Sequence, residues 1–324
     1  MVFHSGRRHG ESEPFAKMKD GPLMLCAAID IGSNTTRVLV AEPVDGQLKK
    51  VMEQRAYTRI GKALTDDGAI TSKKIAEVAE IVCTQVKLAE ELEAAQIRLV
   101  ATAAIRQASN RDEFAEAISD ASGFEVEVLS EEEEGRLSFI GATKTLGHPV
   151  DGRIAVVDVG GGSSEVITGT VSGGVEKVHS WPVGSGMLAD ELIECDPPSA
   201  TEIRKVRDRI DDLFGDADIA APDQAVAVGG SATSLRRLVG SVLEYETLER
   251  GIRVLASDPA ADVARRFELD PERVRILPTG VLLLEKISEL LGQPLQIGKG
   301  GLREGVILDM LNGSIQPGKQ PLAA

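Results

Sequence analysis

The sequence predicts an α/β protein built from two similar halves that face each other across a cleft. Three observations carry this. Strand patterns alternate with helix patterns along the chain. A strand, an Asp-x-Gly turn and a second strand occur twice at matched positions. The 324 residues exceed the usual domain size of about 150.

The elements follow in order. Residues 1–21 are polar and aperiodic and are expected to be a disordered extension. Residues 24–31 read as a buried strand and 36–41 as its hairpin partner. Residues 71–94 carry Ile75, Val78, Val82, Val86 and Ala89 on one helical face. A strand at 97–101, a helix at 111–121 and a strand at 125–129 come next. Ser130 opens a helix that runs to about residue 146, with Ser130 and Glu133 read as a reciprocal capping box. After a turn-rich break comes a buried strand at 154–159, paired with 165–168. A helix at 200–214 places Ile203, Val206, Ile210 and Leu213 on its apolar side. A strand at 225–228 leads into a helix at 232–239. Helices at 258–268, 270–290 and 301–312 complete the chain, and residues 314–324 read as a frayed tail. The expected partition is 22–130 plus 301–313 for the first domain and 131–300 for the second.

Composition excludes several functions. The net charge is −15, which disfavours non-specific nucleic-acid binding, and at 3% aromatic content base-stacking platforms are unlikely too. An anionic substrate must be held by a local site working against the global charge. No apolar run approaches the roughly 18 residues a membrane span needs. Cys26, Cys83 and Cys195 form no CxxC pair and read as free thiols of a reducing cytoplasm, the expected location. His4, His9, His148 and His179 form no HxH or HxxxH pair, which disfavours a His-based zinc site.

The repeat carries the chemistry. Residues 29–36 (IDIGSNTT) match residues 157–164 (VDVGGGSS), pairing Asp30 with Asp158 and Gly32 with Gly160. In such a turn, successive N–H groups converge on phosphate oxygens, and the aspartate at the strand end can hold a hydrated divalent cation against them. A third glycine element, Gly229-Gly230-Ser231, joins a strand to a helix start, where unpaired N–H groups favour an anion. Read alone, that element serves packing as readily as a ligand.

Seven motifs then occur in one order: DIGSNTTR, ATAAIRQASN, EEEGRLSFIGA, VDVGGGSSE, WPVGSG, AVGGSATSL and GLREGVIL. Together they resemble the exopolyphosphatase / guanosine pentaphosphate phosphohydrolase family over residues 24–312. That family sits within the superfamily of actin, sugar kinases and heat-shock chaperone ATPases. The resemblance implies two ribonuclease-H-like domains around a cleft, in the short form that lacks added C-terminal helical domains. It implies a phosphohydrolase that releases terminal orthophosphate from inorganic polyphosphate, with pppGpp as the alternative substrate and a non-catalytic alarmone sensor as the rival class. A sugar kinase of the same superfamily fits less well, because a carboxylate at a helix head suits water activation.

The resemblance places the catalytic carboxylate among Glu131–Glu134. Capping occupies Glu133, and Glu134 directly precedes Gly135-Arg136, so Glu134 is assigned as general base. Asp158 and Glu165 are implied as the other active-site carboxylates, and Asp30, Asp158 and Glu165 as the side chains facing metal. Carboxylates, hydroxyls and water suit Mg²⁺, or Mn²⁺, over Zn²⁺. The expected phosphate donors are Ser33, Asn34 and Thr35, then Gly160, Gly161, Gly162 and Ser163, then Gly229, Gly230 and Ser231. Arg106 is implied to grip phosphate. Ala103 stands where the family form has a serine. Arg303 is assigned to an interface between the last helix and the first domain. With Arg106 and one or two further cations expected in the cleft, short chains should be preferred. Assembly as a homodimer is left open.

Overall fold

The computed structural model describes residues 24–44, 47–215 and 217–313. The expected N-terminal extension and C-terminal tail lie outside these residues.

The first sheet forms around β1 (Cys26–Ile31), which pairs antiparallel with β2 (Thr36–Val44), and β2 pairs antiparallel with β3 (Gln47–Ala56). On its other side β1 runs parallel to β4 (Gln96–Ala101), and β4 to β5 (Val126–Val128). The order is β3-β2-β1-β4-β5. Alternation along β1 sorts its side chains. Ala27, Ile29 and Ile31 pack under α1 (Ser72–Glu91) and α3 (Arg111–Ser122), where Val78, Val82, Phe114 and Ile118 are buried. A short α2 (Ala103–Gln107) lies between β4 and α3. Cys26 and Ala28 face the opposite way, and Asp30 follows them on that side.

Two helices separate the sheets. Ser130 caps α4 (Glu131–Lys144), accepting from the Glu133 N–H at 3.2 Å. Phe139 and Ala142 of α4 pack on the second sheet. α11, introduced in chain order below, covers Cys26, Ala28, Leu39 and Ala41 of the first.

The second sheet repeats the first. β6 (Ile154–Val159), β7 (Ser164–Thr170) and β8 (Gly174–Trp181) form the antiparallel meander. The helices α5 (Ser185–Leu192) and α6 (Ala200–Phe214) follow, and then β9 (Gln224–Val228), parallel to β6. Next come α7 (Gly229–Val239), β10 (Val242–Leu243), α8 (Tyr245–Leu255), α9 (Ala260–Phe267) and α10 (Pro271–Leu291). β11 (Leu295–Ile297) lies parallel to β9, and α11 (Leu302–Leu311) closes the described chain. The order is β10-β11-β9-β6-β7-β8, the first sheet's topology with β10 added at one edge. Ala155, Val157, Val159 and Val166 enter the largest core cluster with α10, whose Leu277, Val281, Leu283 and Leu284 are fully buried.

The sequence reading stopped each meander at two strands. β3 and β8 complete them, because both are amphipathic edge strands whose polar residues mask the period. α2, α5, α8, β10 and β11 were also not anticipated, and α7 begins at Gly229, not at 232.

Helices α4 and α11 touch backbone to backbone. A Cβ on Gly141 would overlap the Gly301 carbonyl, and one on Gly305 would overlap the Leu137 carbonyl. Only glycine permits this approach. It fixes how α4, and so Glu134, sits relative to the first sheet.

Candidate active site

The two repeated hairpins meet tip to tip in the wall of a cavity of about 680 Å³. Their turns close alike, with Gly32 N donating to Thr35 O at 3.0 Å and Gly160 N to Ser163 O at 2.9 Å. A Cβ on Gly161 would stand 2.7 Å from the Asn34 Cβ, and one on Gly162 2.9 Å from the Ser33 Cβ. The glycines of the second tip are thus required by the first. The WPVGSG segment braces the second turn, with Ser185 N donating to Gly160 O at 2.9 Å. Ser33, Asn34, Thr35, Gly160, Gly161, Gly162 and Ser163 all line the cavity.

The third glycine element lies beside them. Gly229 has φ +80°, and a Cβ there would overlap Asp158 Oδ1, so the left-handed backbone and the missing side chain are both used. Gly230 faces the Arg273 guanidinium, which would stand 2.7 Å from an added Cβ. Both glycines line the cavity. Ser231 does not. It is fully buried, 3.4 Å from Ser185 Oγ, because α7 starts at Gly229 and turns residue 231 into the core. Thr233 takes the place on the wall expected for it.

Cross-strand register makes the two halves differ in charge. Asp30 pairs with Arg37 on β2, and Asp158 pairs with Glu165 on β7. Asp30, Asp158, Glu165 and Glu134 all face the cavity. Burial pushes the Glu134 carboxyl up to about 7; Arg106 pulls it down, and Asp30 and Asp158 push it up further. Burial and then Asp30 raise Asp158 to about 6. Glu165 is raised well above its ordinary value by burial, then by Glu134 and Asp158. Asp30 is raised by burial against the pull of Arg303 and Arg37. Crowded carboxylates of this kind hold protons or attract a cation.

Two buried oxygens, Asp30 Oδ1 and Glu165 Oε1, have no hydrogen-bond partner. Among the described residues no three His, Cys, Asp or Glu side chains are close enough to hold a metal by themselves. A cation here would draw its remaining ligands from water and substrate. This is the habit of Mg²⁺, so the residues fit that ion.

The cavity is also strongly basic. Arg37, Arg55, Arg273, Arg303, Lys50 and Lys299 line it. That exceeds the one or two cations anticipated. Register explains the row: Arg37 pairs with Asp30 on one side and with Arg55 of β3 on the other. Burial and then Arg303, Arg55 and Arg273 lower the Arg37 guanidinium. Glu53 serves Arg303 at 2.8 Å, Lys50 at 2.9 Å and Arg37 at 3.6 Å. Arg55, Arg273 and Lys299 make no ion pair among the described residues. The repeat itself held the signal for Arg37, since the offset that pairs Asp30 with Asp158 also pairs Arg37 with Glu165.

Three expected roles change. Arg106 is not on the cavity wall. It stands behind Glu134, donating to Glu134 Oε2 at 2.7 Å and to Leu129 O at 3.0 Å. Glu133 does not reach back to Ser130; Arg136 takes its carboxylate with two bonds of 2.8 Å, because a nearby guanidinium outcompetes a backbone N–H. Glu134 is still the only glutamate of the four on the cavity wall. Arg303 joins α11 to β3 through Glu53, as an interface residue should, and it also lines the cavity.

Two duplicated α/β halves, with glycine turns tip to tip and one cavity lined by carboxylates and arginines, define a phosphoryl-handling enzyme. Residues 39–314 match the Ppx/GppA phosphatase family, and the chain belongs to it; it is a phosphoanhydride hydrolase. It is 29% identical over 307 residues to exopolyphosphatase 1 of Mycobacterium leprae, covering 89% of this chain and 90% of that one. It is 27% identical over 308 residues to exopolyphosphatase 2 of Mycobacterium tuberculosis, covering 87% and 96%. The crystal structure of the Aquifex aeolicus family member is similar at a TM-score of 0.76 and 28% identity, covering 91% of this chain and 100% of that one. Among the described residues no helix is long and apolar enough to cross a membrane.

Proposed function

We propose that this protein releases terminal orthophosphate from inorganic polyphosphate, using water activated by Glu134. The observation that carries the reading is one cavity lined both by a raised, buried carboxylate and by four arginines. The names of its exopolyphosphatase relatives support the substrate.

Glu134 in its ionised form accepts a proton from water as the water oxygen bonds to the terminal phosphorus. The bridging P–O bond breaks, and the shortened chain leaves with the electron pair. Arg37, Arg55 and Arg273 face the charge that develops on the phosphate oxygens. The hairpin turns offer N–H and hydroxyl donors from Ser33, Asn34, Thr35, Gly161, Gly162 and Ser163. Arg106, by pairing with Glu134, aims its carboxylate and keeps it ionised near neutral pH. Asp30, Asp158 and Glu165 would hold Mg²⁺, which when bound supplies positive charge to the phosphate oxygens. Asp158 and Glu165 also accept hydrogen bonds from water held near Glu134.

Two finer readings accompany this one. Substrates short enough to lie within the cavity are favoured, because the surrounding chain carries −15 and repels a long polyanion. The pppGpp reading stands beside it because the 5′-terminal phosphate of pppGpp presents the same phosphoanhydride to the site. Free thiols at Cys26, Cys83 and Cys195 suit a reducing cytoplasm.

The test is phosphate release from tripolyphosphate, long polyphosphate, pppGpp and ATP side by side, with Mg²⁺, with Mn²⁺ and with EDTA. Release from the polyphosphates that EDTA stops and Mg²⁺ restores is expected. Release from pppGpp alone would replace the substrate. Tight binding of pppGpp without release would mean a sensor, and recovery with Zn²⁺ alone would overturn the oxygen-ligand site.

A further inference from the structure

The glycine run before α11 holds a single side chain long enough to do anything. Residues 298–301 read Gly-Lys-Gly-Gly. A Cβ on Gly298 would press on Val226 and Val228 at 2.9 and 3.0 Å. One on Gly300 would meet Thr145 Oγ1 at 2.7 Å and the Gly141 carbonyl at 2.8 Å. One on Gly301 would stand 3.5 Å from Val228 and 4.0 Å from Asp158 Oδ2. The loop is therefore pressed flat against β9 and α4, and it leads outward from Asp158. Lys299 alone is free to project, and it lines the cavity and is exposed.

Gly301 is the residue of this loop nearest the reacting end, at Asp158, and Lys299 lies two residues further along, past the C-terminal end of α4. Gly300 lies against Thr145, the residue that ends α4, whereas Glu134 lies in the first turn. Glu134 and Thr145 are eleven residue steps apart, about 16 Å at 1.5 Å per residue. The facing wall runs the same way. Arg37 pairs with Arg55, and four residues along β2 Ala41 pairs with Lys50, about 13 Å away at strand rise. Gln47 closes this end by donating to the Lys144 carbonyl at 3.4 Å. In a chain with 51 acidic residues, Lys299 still makes no ion pair among the described residues, and Lys50 shares Glu53 with two arginines. Lys299, left unpaired on the wall of a slot, awaits an anion that the protein does not supply.

The geometry points to Lys299, with Lys50 opposite, as an outer subsite that takes the non-reacting phosphates of an oligophosphate whose terminal phosphorus lies by Glu134. This rests on the polyphosphate reading above and adds to it a length rule. Catalytic efficiency per chain end should climb from tripolyphosphate to chains just long enough to reach Lys299, and longer chains should gain nothing more.

The experiment measures kcat and KM for tripolyphosphate and for long polyphosphate, per chain end, at fixed free Mg²⁺. The proteins are wild type, Lys299→Gln, Lys299→Arg and Lys87→Gln. Lys87 is exposed on α1 and controls for the loss of one charge anywhere. Lys299→Gln should raise KM for long polyphosphate roughly fivefold, the size of one exposed charge pair, and should raise KM for tripolyphosphate far less. Its KM for the long chain should also depend less on salt. Lys299→Arg should restore wild-type values, and Lys87→Gln should match wild type throughout. An equal change on both substrates, or no change on the long one, would overturn the subsite while leaving the hydrolase reading intact. A wild-type protein inert toward every polyphosphate would instead defeat the hydrolase reading, and the subsite with it.

Discussion

Arg106 and Glu134 come from different elements, α2 and the first turn of α4, and meet at 2.7 Å inside the protein. Both side chains are nearly buried, at 14% and 12% exposed. Burial drives the glutamate toward the neutral form and the guanidinium drives it back. The outcome is a carboxylate that titrates near 7, where a base of this kind can both lose and accept a proton at working pH.

Glu134→Gln should keep the fold and lower kcat by roughly two to four decades, with KM little changed. Glu133→Gln should cost only a few-fold, since Glu133 is held by Arg136 and does not reach the cavity. Steady-state kinetics of the two variants side by side decide it. A dead Glu133→Gln beside an active Glu134→Gln would move the base by one residue.

The acid limb of the pH profile should report the same carboxylate. Glu134 works ionised, so kcat/KM should rise with pH and level off above about 7, with Asp158 near 6 contributing to the lower part. Arg106 lowers the Glu134 value, so Arg106→Ala should shift the limb upward, and Arg106→Lys should shift it less. An unmoved limb in Arg106→Ala would show that the pair does not set the ionisation.

Stability should run the other way. Glu134, Asp158 and Glu165 are all raised in the folded state, so between their ordinary values and the raised ones the folded protein binds more protons than the unfolded chain. Their contribution is full below the ordinary carboxylate range and is lost as pH climbs toward 7. In EDTA, the wild-type Tm should therefore fall between about pH 5 and about pH 8. Glu134→Gln should fall less, and a melting series at the two pH values measures the difference.

Gly305→Ala should be among the most damaging single-methyl changes in the chain. The added carbon would overlap the Leu137 carbonyl, where backbone meets backbone and no side chain can yield. A loss of about 3 kcal/mol or more is expected from denaturant titration. Gly68→Ala tests a different term, since it meets nothing within 4 Å but has φ +76°. It should cost about 1 kcal/mol, from backbone strain alone.

The local motifs were legible without the fold. A hairpin whose ends are fixed by Asp-x-Gly and whose strands are apolar is a short-range object, and so is a helix opened by Ser130. Asp30 and Asp158 could thus be singled out from the repeat, which also implied the two-sheet duplication, whereas Glu134 and Glu165 were reached through the resemblance to the family. Arg55, Arg273, Lys50 and Lys299 could not. Each lies in an element whose own pattern gives no reason to choose it, and each acquires meaning only through cross-strand register, the glycine crossing of α4 and α11, or the burial of a neighbour. The same physics displaced Arg106 from the phosphate wall to the back of Glu134 and turned Ser231 into the core. Sequence fixes which groups can carry charge or accept a proton over a few residues. Which of them share one low-dielectric cavity depends on contacts between residues more than a hundred positions apart, and only the tertiary structure decides that.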